Sequence, residues 1–172
     1  MSVMDIRQNI KPLSWHEVDL EGGLLLERQT VVNHVTIPAE FKQFEKTGRL
    51  RSIGMTWKPG DLPVPQPHWD SDIGKLIEAA AYSLAKHPNQ TWENRTDGII
   101  DKIGAGQQPD GYFNTYYTVV EPGKRFTCLY YMHELYCAGH LIEGAVAYYE
   151  ATGKRKFLDI MCRYVDLIAG TF

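Results

Sequence analysis

Residues 76–80, Leu-Ile-Glu-Ala-Ala, recur as Leu-Ile-Glu-Gly-Ala at residues 141–145, which lie 65 positions further along the chain. The same offset carries Asp101 onto Asp166, so the similarity extends over two successive helical patterns in one register. A duplicated helical hairpin is typical of stacked αα units, because one unit alone cannot bury its apolar face. Chance similarity between alanine-rich helices is the alternative interpretation. The shared register favours the repeat, which predicts an all-α fold of αα-hairpin repeats.

Apolar spacing and helix-breaking residues place the other elements. The stretch up to Gly23 is predicted to be extended, followed by a short apolar run at residues 24–26. Residues 51–69 are predicted to form a loop, because prolines interrupt regular structure there. The predicted helices are 31–50, a helix capped by Asp70 or Ser71 that ends near Pro88, a helix opened by Asn89 or Thr91, 129–152 with Gly153 as its stop, and 155–169.

The predicted helix 129–152 has two largely uncharged faces. One face contains Leu135, Ala138, Ile142, Ala145 and Tyr149, and the other contains His133, Cys137, His140, Gly144 and Tyr148. A helix of this kind is covered on both sides. The predicted helix 155–169 has Asp159, Arg163 and Asp166 on one face, so it is covered on one side only. This contrast predicts an inner and an outer layer of helices.

The composition excludes several classes of protein. The chain has 172 residues, of which 44% are hydrophobic and 23% charged, which suits one domain with a sizeable core and excludes a disordered chain. The net charge of −3 comes from intermixed charges, so no basic patch points to nucleic acid. No apolar run approaches the ~20 residues of a membrane span. The N-terminus lacks a signal-peptide pattern, and the three cysteines lack CxxC spacing, so we expect a cytoplasmic protein with reduced thiols.

A long connection, residues 107–128, lies between the two predicted hairpins and contains Gln108, Asp110 and a cluster of aromatic residues. Connections of this length in a compact domain are usually functional or disordered, and the aromatic content argues against disorder. One interpretation is a binding rim, in which aromatic rings stack on a ligand and polar groups bind its hydroxyls. The other is a packed hairpin that closes over the helix ends. The composition alone leaves both open.

His133, Cys137 and His140 follow one another at the spacing of a helix face, which could place three ligands on one metal ion. The zinc-protease motif HExxH is incomplete, because Cys137 stands where it needs histidine. A cysteine on an apolar stripe is usually a packing residue, so no metal site is predicted here. His133 is instead expected at the mouth of the inner-layer cavity, bound to a backbone carbonyl or offered to a ligand.

Carboxylates are the remaining candidates for chemistry. Asp72 lies at a predicted helix N-terminus, where it either caps the helix or faces the cavity and accepts sugar hydroxyls. Asp110, Glu134 and Glu143 are further candidates. No two of them have a spacing that identifies a general acid and base. The residues alone therefore indicate a helical-hairpin scaffold with a hydroxyl-binding pocket and no assigned reaction.

Four motifs of this chain resemble the N-terminal third of glycoside hydrolase family 127, the β-L-arabinofuranosidases. They are His-Trp-Asp-Ser-Asp at 68–72, Glu-Ala-Ala-Ala-Tyr at 78–82, Ala-Gly-Gln-Gln-Pro-Asp-Gly-Tyr-Phe-Asn-Thr at 105–115 and Met-His-Glu-Leu-Tyr-Cys-Ala-Gly-His at 132–140. The resemblance implies an (α/α)6 barrel, of which residues 22–172 form a part and residues 1–21 an extended N-terminal segment. It also implies removal of terminal β-L-arabinofuranose from plant-type glycans with retention of configuration.

The resemblance further implies which site residues this chain carries. His133 resembles a family histidine that contacts the sugar in the −1 subsite, and Asp72, Gln108 and Asp110 match family motifs as pocket or structural residues. The family's cysteine nucleophile, its zinc ion and the glutamate acid–base are implied to lie beyond residue 172. Cys128, Cys137 and Cys162 do not match them. We therefore expect no catalytic residue, zinc ligand or other cofactor in this chain, and no activity from it alone.

Two hypotheses follow for the chain as a whole. In the first, it is the N-terminal part of a family 127 enzyme, with about five of the barrel's twelve helices, and binds an arabinofuranose-type sugar. In the second, it is a non-catalytic helical-hairpin module that binds a protein partner or self-associates through exposed terminal helices. Neither hypothesis involves nucleic acid or a membrane.

Overall fold

The computed structural model describes residue 11 and residues 13–172. Across that part of the chain every regular element is helical and no strand is present, which confirms the predicted all-α class. About half of the predicted extended segment 1–21, namely residues 1–10 and 12, lies outside the described residues. In its described part, a short 3₁₀ turn spans Trp15–Glu17. The boundary between this segment and a domain beginning at residue 22 stays a prediction.

The α-helices are α1 Gly23–Val31, α2 Ile37–Lys46, α3 Arg49–Ser52, α4 Trp69–Lys86, α5 Gln90–Gly106, α6 Thr115–Val119, α7 Glu134–Thr152 and α8 Lys156–Thr171. A π-helical turn, Val32–Thr36, joins α1 to α2 without a break. Among the described residues, no helix combines the length and the apolar character that a membrane span needs.

The first long helical stretch begins earlier and ends earlier than predicted. The apolar run 24–26 lies inside α1 and is not extended, and α2 ends at Lys46, short of the predicted residue 50. Gly48 follows in a left-handed conformation, as expected of a helix stop. Pro38 lies in the first turn of α2 and lacks the backbone N–H that a continuous α-helix would use there. The π-helical turn lies directly before it in the chain.

The helices α4 and α7 pack side by side and form the inner layer. Their backbones approach closely at Gly74, where an added Cβ would lie 2.5 Å from the carbonyl oxygen of His140. At Gly144 an added Cβ would lie 2.7 Å from the carbonyl oxygen of Gly74. Only glycine permits such an approach, and the repeat-related residues Leu76 and Leu141 are fully buried beside it. Equivalent residues of the two repeat units therefore lie near one another where α4 and α7 pack together.

The helix α8 lies outside α7 and is buried on one face only, as predicted. Phe157, Met161 and Tyr164 are buried, whereas Asp159 and Arg163 are exposed. Between α7 and α8, Gly153 adopts a left-handed conformation and ends α7 as expected. The predicted two-sided coverage of α7 is wrong within the described residues, because Tyr136, Val146 and Tyr149 are exposed on one face of that helix. The packing of α4 against α7, with α8 outside, still fits the layers of a portion of an (α/α)6 barrel.

The connection 107–128 is a packed segment. Tyr112, Phe113 and Tyr117 are at most 2% exposed and form part of the core. These three rings are unavailable to a ligand surface, so the binding-rim interpretation is wrong for them and the packed-hairpin interpretation holds. Asn114 caps the short helix α6 within this segment by accepting a hydrogen bond from the backbone N–H of Tyr117.

Two helix starts differ from prediction, each for a physical reason. The N-cap of α4 is His68 rather than Asp70 or Ser71. The Asp70 carboxylate binds Thr115, and the Ser71 hydroxyl donates to the carbonyl oxygen of His68 instead of accepting from a backbone N–H. The helix α7 begins at Glu134 rather than residue 129, because His133 has φ 55° and ψ 21°, a left-handed conformation that ends helical geometry. The predicted cap of α5 is confirmed: Asn89 accepts hydrogen bonds from two backbone N–H groups.

Candidate functional site

The N-terminal ends of α4 and α7 lie next to each other. The Cys137 thiol donates to the carbonyl oxygen of Pro67 (3.3 Å), and the rings of His68 and His133 are 6.4 Å apart between centroids. Both histidines are exposed, whereas Cys137 is buried. The two helices thus present two accessible histidines at one end, and the side chains beneath them are buried. We call this region the His133 end.

Asp70 is a buried anchor beneath the His133 end. Its carboxylate is 2% exposed and accepts hydrogen bonds from the backbone N–H and the hydroxyl of Thr115, each at 2.6 Å. Burial raises the pKa of Asp70 to about 6, because the hydrogen bonds from Thr115 only partly offset the loss of solvent. Asp70 therefore fastens the start of α6 to the first turn of α4.

Glu134 is a second buried anchor, adjacent to His133 in the chain. One carboxylate oxygen accepts a short hydrogen bond from the hydroxyl of Tyr112, and the other accepts one from the backbone N–H of Phe126 (2.7 Å). Burial raises the pKa of Glu134 despite both hydrogen bonds and the charge of Arg125. These bonds tie the first residue of α7 to the connection 107–128 and fix the position from which His133 projects.

Arg125 and Asp110 extend this network towards the surface. The guanidinium of Arg125 lies 3.8 Å from the centroid of the Tyr112 ring and pairs with Asp110 at 2.6 Å. Partial burial alone would raise the pKa of Asp110, but the N–H of Tyr112 and the charge of Arg125 hold that pKa below its usual value. Asp110 thus supports a turn and an ion pair.

The four residues predicted to bind substrate have different surroundings. His133 is exposed at the N-terminal end of α7. Asp72 accepts a hydrogen bond from Arg49 at 2.8 Å and its side chain is 25% exposed, while Arg49 also lies over the Trp69 ring. Asp72 therefore lies in the first turn of α4 and already holds a cationic partner.

Gln108 and Asp110 belong to the turn that follows α5. The side-chain amide of Gln108 donates to the carbonyl oxygen of Gly106 at 3.1 Å, and its backbone N–H donates to the carbonyl oxygen of Tyr112. In the same turn Gly111 has φ 90°, and an added Cβ would lie 2.4 Å from the carbonyl oxygen of Arg163. Only glycine fits there, so the turn is fixed against α8.

The cysteines do not form a metal site in the part of the chain that is described. Cys137 is buried and its thiol donates to the carbonyl oxygen of Pro67, as expected of a packing residue. His133, Cys137 and His140 do not converge as ligands in the described residues. Here the residues present do not fit the cysteine–zinc centre that the resemblance implies for the family. His140 instead meets Glu78 and Glu143, and the ligand atoms of all three lie within 4.8 Å of one another.

Sequence reasoning missed the buried network of Asp70, Tyr112, Thr115 and Glu134. The sequence contains no spacing signal for it, because Asp70 and Thr115 are 45 residues apart and Tyr112 and Glu134 are 22 apart. The cluster of Glu78 with Glu143 does have a signal, since the two glutamates occupy equivalent positions of the repeat. Placing the two repeat units side by side in one layer brings them together.

Solved structures and sequence relatives resemble this chain closely. A GH127 β-L-arabinofuranosidase from Geobacillus stearothermophilus T6 superimposes with a TM-score of 0.85 and 41% sequence identity, over 90% of this chain and 26% of that one. Another GH127 β-arabinofuranosidase gives a TM-score of 0.83 and 35% identity, over 91% of this chain and 26% of that one. The non-reducing end β-L-arabinofuranosidase of Bifidobacterium longum subsp. longum is 37% identical over 107 residues, which are 60% of this chain and 16% of that protein.

The chain thus spans about a quarter of the length of the solved relatives and less of the curated one. The family model for the β-L-arabinofuranosidase GH127 catalytic domain matches residues 17–171, which is nearly the whole sequence. That match includes both buried anchors and the His133 end. The chain therefore belongs to the GH127 β-L-arabinofuranosidase catalytic-domain family.

Proposed function

We propose that this chain supplies part of the sugar-binding surface of a β-L-arabinofuranosidase that acts on terminal arabinofuranose of plant-type glycans. The observation that carries the proposal is the exposed, fixed position of His133 at the N-terminal end of an inner helix. An imidazole there can donate or accept a hydrogen bond with a sugar hydroxyl, and its neighbour Glu134 holds the backbone in place.

The buried anchors explain how the site is positioned. Asp70 and Glu134 are buried carboxylates beneath the His133 end, and each fastens an inner helix to the connection 107–128. Their hydrogen bonds lower the conformational freedom of His133 before any sugar arrives, which reduces the entropic cost of binding. Asp72 contributes through its ion pair with Arg49, and Gln108 and Asp110 through the turn they stabilise.

A binding experiment tests this role. Arabinose is titrated into the 172-residue chain and affinity is read from NMR chemical-shift changes. We expect His133→Ala to weaken binding by at least ~10-fold, because one charge-assisted or neutral hydrogen bond is lost. His87→Ala, at the exposed opposite end of α4, is the matched control and should leave the affinity unchanged. Equal affinity of the two variants and the wild-type chain would contradict the role of His133.

We also propose that the 172-residue chain does not release arabinose by itself. Covalent catalysis needs an ionised nucleophile, and burial raises the pKa of the Cys137 thiol to about 12. The family resemblance assigns neither Cys128 nor Cys162 to the reaction. Incubation of the purified chain with an aryl β-L-arabinofuranoside measures this directly, and release of arabinose above a heat-denatured control would refute it.

The competing proposal is a non-catalytic module that binds a protein or a second copy. It rests on the exposed apolar side chains of α7, Tyr136, Val146 and Tyr149. This proposal expects a stable oligomer in light scattering and no chemical-shift change with arabinose. A monomer that binds arabinose through His133 would exclude it.

A further inference from the structure

The close approach of α4 and α7 brings together side chains that the sugar-binding proposal does not use. Gly74 and Gly144 let the two backbones approach closely. The glutamate one turn beyond Gly74 and the glutamate one residue before Gly144 come together beside this contact, where the second is 60% exposed. These are Glu78 and Glu143, which occupy equivalent positions in the two repeat units. Two carboxylates whose oxygens lie within 4.8 Å repel each other unless a cation or a proton compensates their charge.

His140 completes the cluster. Its Nδ1 lies 2.8 Å from a carboxylate oxygen of Glu143, and that nitrogen is shielded from solvent yet lacks an aligned hydrogen-bond partner. The ligand atoms of Glu78, His140 and Glu143 all lie within 4.8 Å of one another. Donors that share one tetrahedral zinc ion at 2.0–2.2 Å lie about 3.5 Å apart, a distance that small side-chain rotations can reach.

The nearest lysine to the cluster on α4 is engaged by another side chain. Lys75, on the same helix as Glu78, donates to the hydroxyl of Tyr136 (2.7 Å). Within residues 13–172, no lysine or arginine forms an ion pair with Glu78 or Glu143. Tyr82 donates to Glu78 at 2.9 Å, and burial together with the nearby glutamates raises the pKa of Tyr82 to about 12. A bound cation would supply the compensating charge.

We propose that Glu78, His140 and Glu143 form a zinc-binding site between α4 and α7. An imidazole nitrogen with two carboxylates is a ligand set that suits zinc, whereas calcium and magnesium favour oxygen ligands alone. The His-x-x-Glu pair on α7 places two ligands on one helix face, and Glu78 supplies the third from the neighbouring helix. This site contains no cysteine, so it differs from the cysteine–zinc centre implied for the family.

Zinc at this position would hold the two inner helices together, because its ligands come from both of them. Such a cross-link stabilises the folded state in proportion to zinc affinity and concentration. The inference is independent of the proposed sugar site, because His133 is not a ligand. The two can therefore fail separately.

Calorimetric titration of the EDTA-treated 172-residue chain with zinc chloride tests the proposal. We expect one zinc ion per chain and a melting temperature that rises with zinc. Glu78→Gln and Glu143→Gln should each weaken binding by at least ~10-fold. Glu150→Gln, an exposed glutamate on the same helix as Glu143, is the matched control and should bind zinc as the wild-type chain does. The side chain introduced by Glu78→Gln retains an oxygen that can accept the Tyr82 hydrogen bond, so circular dichroism should be unchanged.

Cobalt(II) in place of zinc reports on the ligands, because zinc itself has no useful absorption. Thiolate ligation of cobalt gives an intense near-ultraviolet charge-transfer band. We expect the cobalt complex to lack that band and to disappear in Glu78→Gln. His133→Ala should bind zinc normally, which separates this site from the sugar site. Absence of stoichiometric zinc binding, unchanged affinity in both glutamine variants, or a thiolate band that persists in them would each overturn the proposal.

Discussion

Gly74 of α4 lies directly against the backbone of His140 of α7, so that an added Cβ would come within 2.5 Å of the His140 carbonyl oxygen. This contact sets the distance between the two inner helices. The same distance brings Glu78 towards His140 and aligns the two helix ends that carry His68 and His133. The candidate zinc site and the candidate sugar site therefore both lie along the α4–α7 interface that this contact spaces.

Gly74→Ala is expected to destabilise the chain by about 1–3 kcal/mol, because the added methyl group must push two backbones apart. The measurement is urea unfolding followed by circular dichroism. Gly139→Ala on α7 is the matched control, since nothing lies within 4 Å of its added Cβ. Alanine there should be neutral or stabilising by up to about 1 kcal/mol, because it favours the helix. If both variants lost the same free energy of unfolding, the close backbone contact at Gly74 would not be the cause of the destabilisation.

Asp70 should make stability depend on pH. Its pKa rises from 3.8 in the unfolded chain to about 6 in the folded one, so the folded state holds the proton more tightly. The contribution of Asp70 to the free energy of unfolding is therefore fully present below pH 3.8, and it is lost as the pH rises through about 6. Because each unit of pKa shift corresponds to about 1.4 kcal/mol, the free energy of unfolding should fall by up to about 3 kcal/mol.

Urea unfolding of the wild-type chain and Asp70→Asn between about pH 4 and pH 6.5 measures this dependence. The free energy of unfolding of the variant should fall less over that range, because its side chain does not ionise. Asp166→Asn, an exposed aspartate on α8, controls for the loss of one carboxylate. Parallel curves for the wild-type chain and Asp70→Asn would contradict the shifted pKa.

Tyr112→Phe should destabilise the chain by about 1–3 kcal/mol. The variant removes the hydroxyl that donates to Glu134 and leaves a buried carboxylate oxygen without its partner. Tyr130→Phe removes a hydroxyl from a ring that is 84% exposed and should change the free energy of unfolding by less than about 0.5 kcal/mol. If the two variants unfold at the same urea concentration, the Tyr112–Glu134 bond does not stabilise the fold.

Cys137 should resist alkylation in the folded chain, because it is 1% exposed and burial raises its thiol pKa to about 12. Iodoacetamide at about pH 8 reacts with thiolates, so it should modify the exposed Cys162 first. Mass spectrometry of peptides, before and after addition of urea, resolves the two sites. Modification of Cys137 at the rate of Cys162 without urea would contradict its structural role.

Much of the fold can be predicted because helix-forming patterns are local. Apolar spacing and the stop at Gly153 locate α8 and the end of α7, and the pattern at Asn89 identifies the cap of α5. The start of α7 lies five residues later than predicted, because apolar and aromatic residues fill 129–132 while His133 leaves helical geometry. A left-handed histidine has no signal in its own sequence neighbourhood.

Local patterns in the chain are enough to establish the layered helical architecture, since the repeated Leu-Ile-Glu motif and the charged face of α8 dictate which sides of each helix are buried. They also identify His133, Asp72, Gln108 and Asp110 as candidates. The packing of the helices was needed to establish that Asp70 and Glu134 are the buried anchors, and that His140 joins Glu78 and Glu143. The physical reason is that hydrogen bonds and close backbone contacts between distant segments depend on how helices pack, which local sequence patterns do not encode.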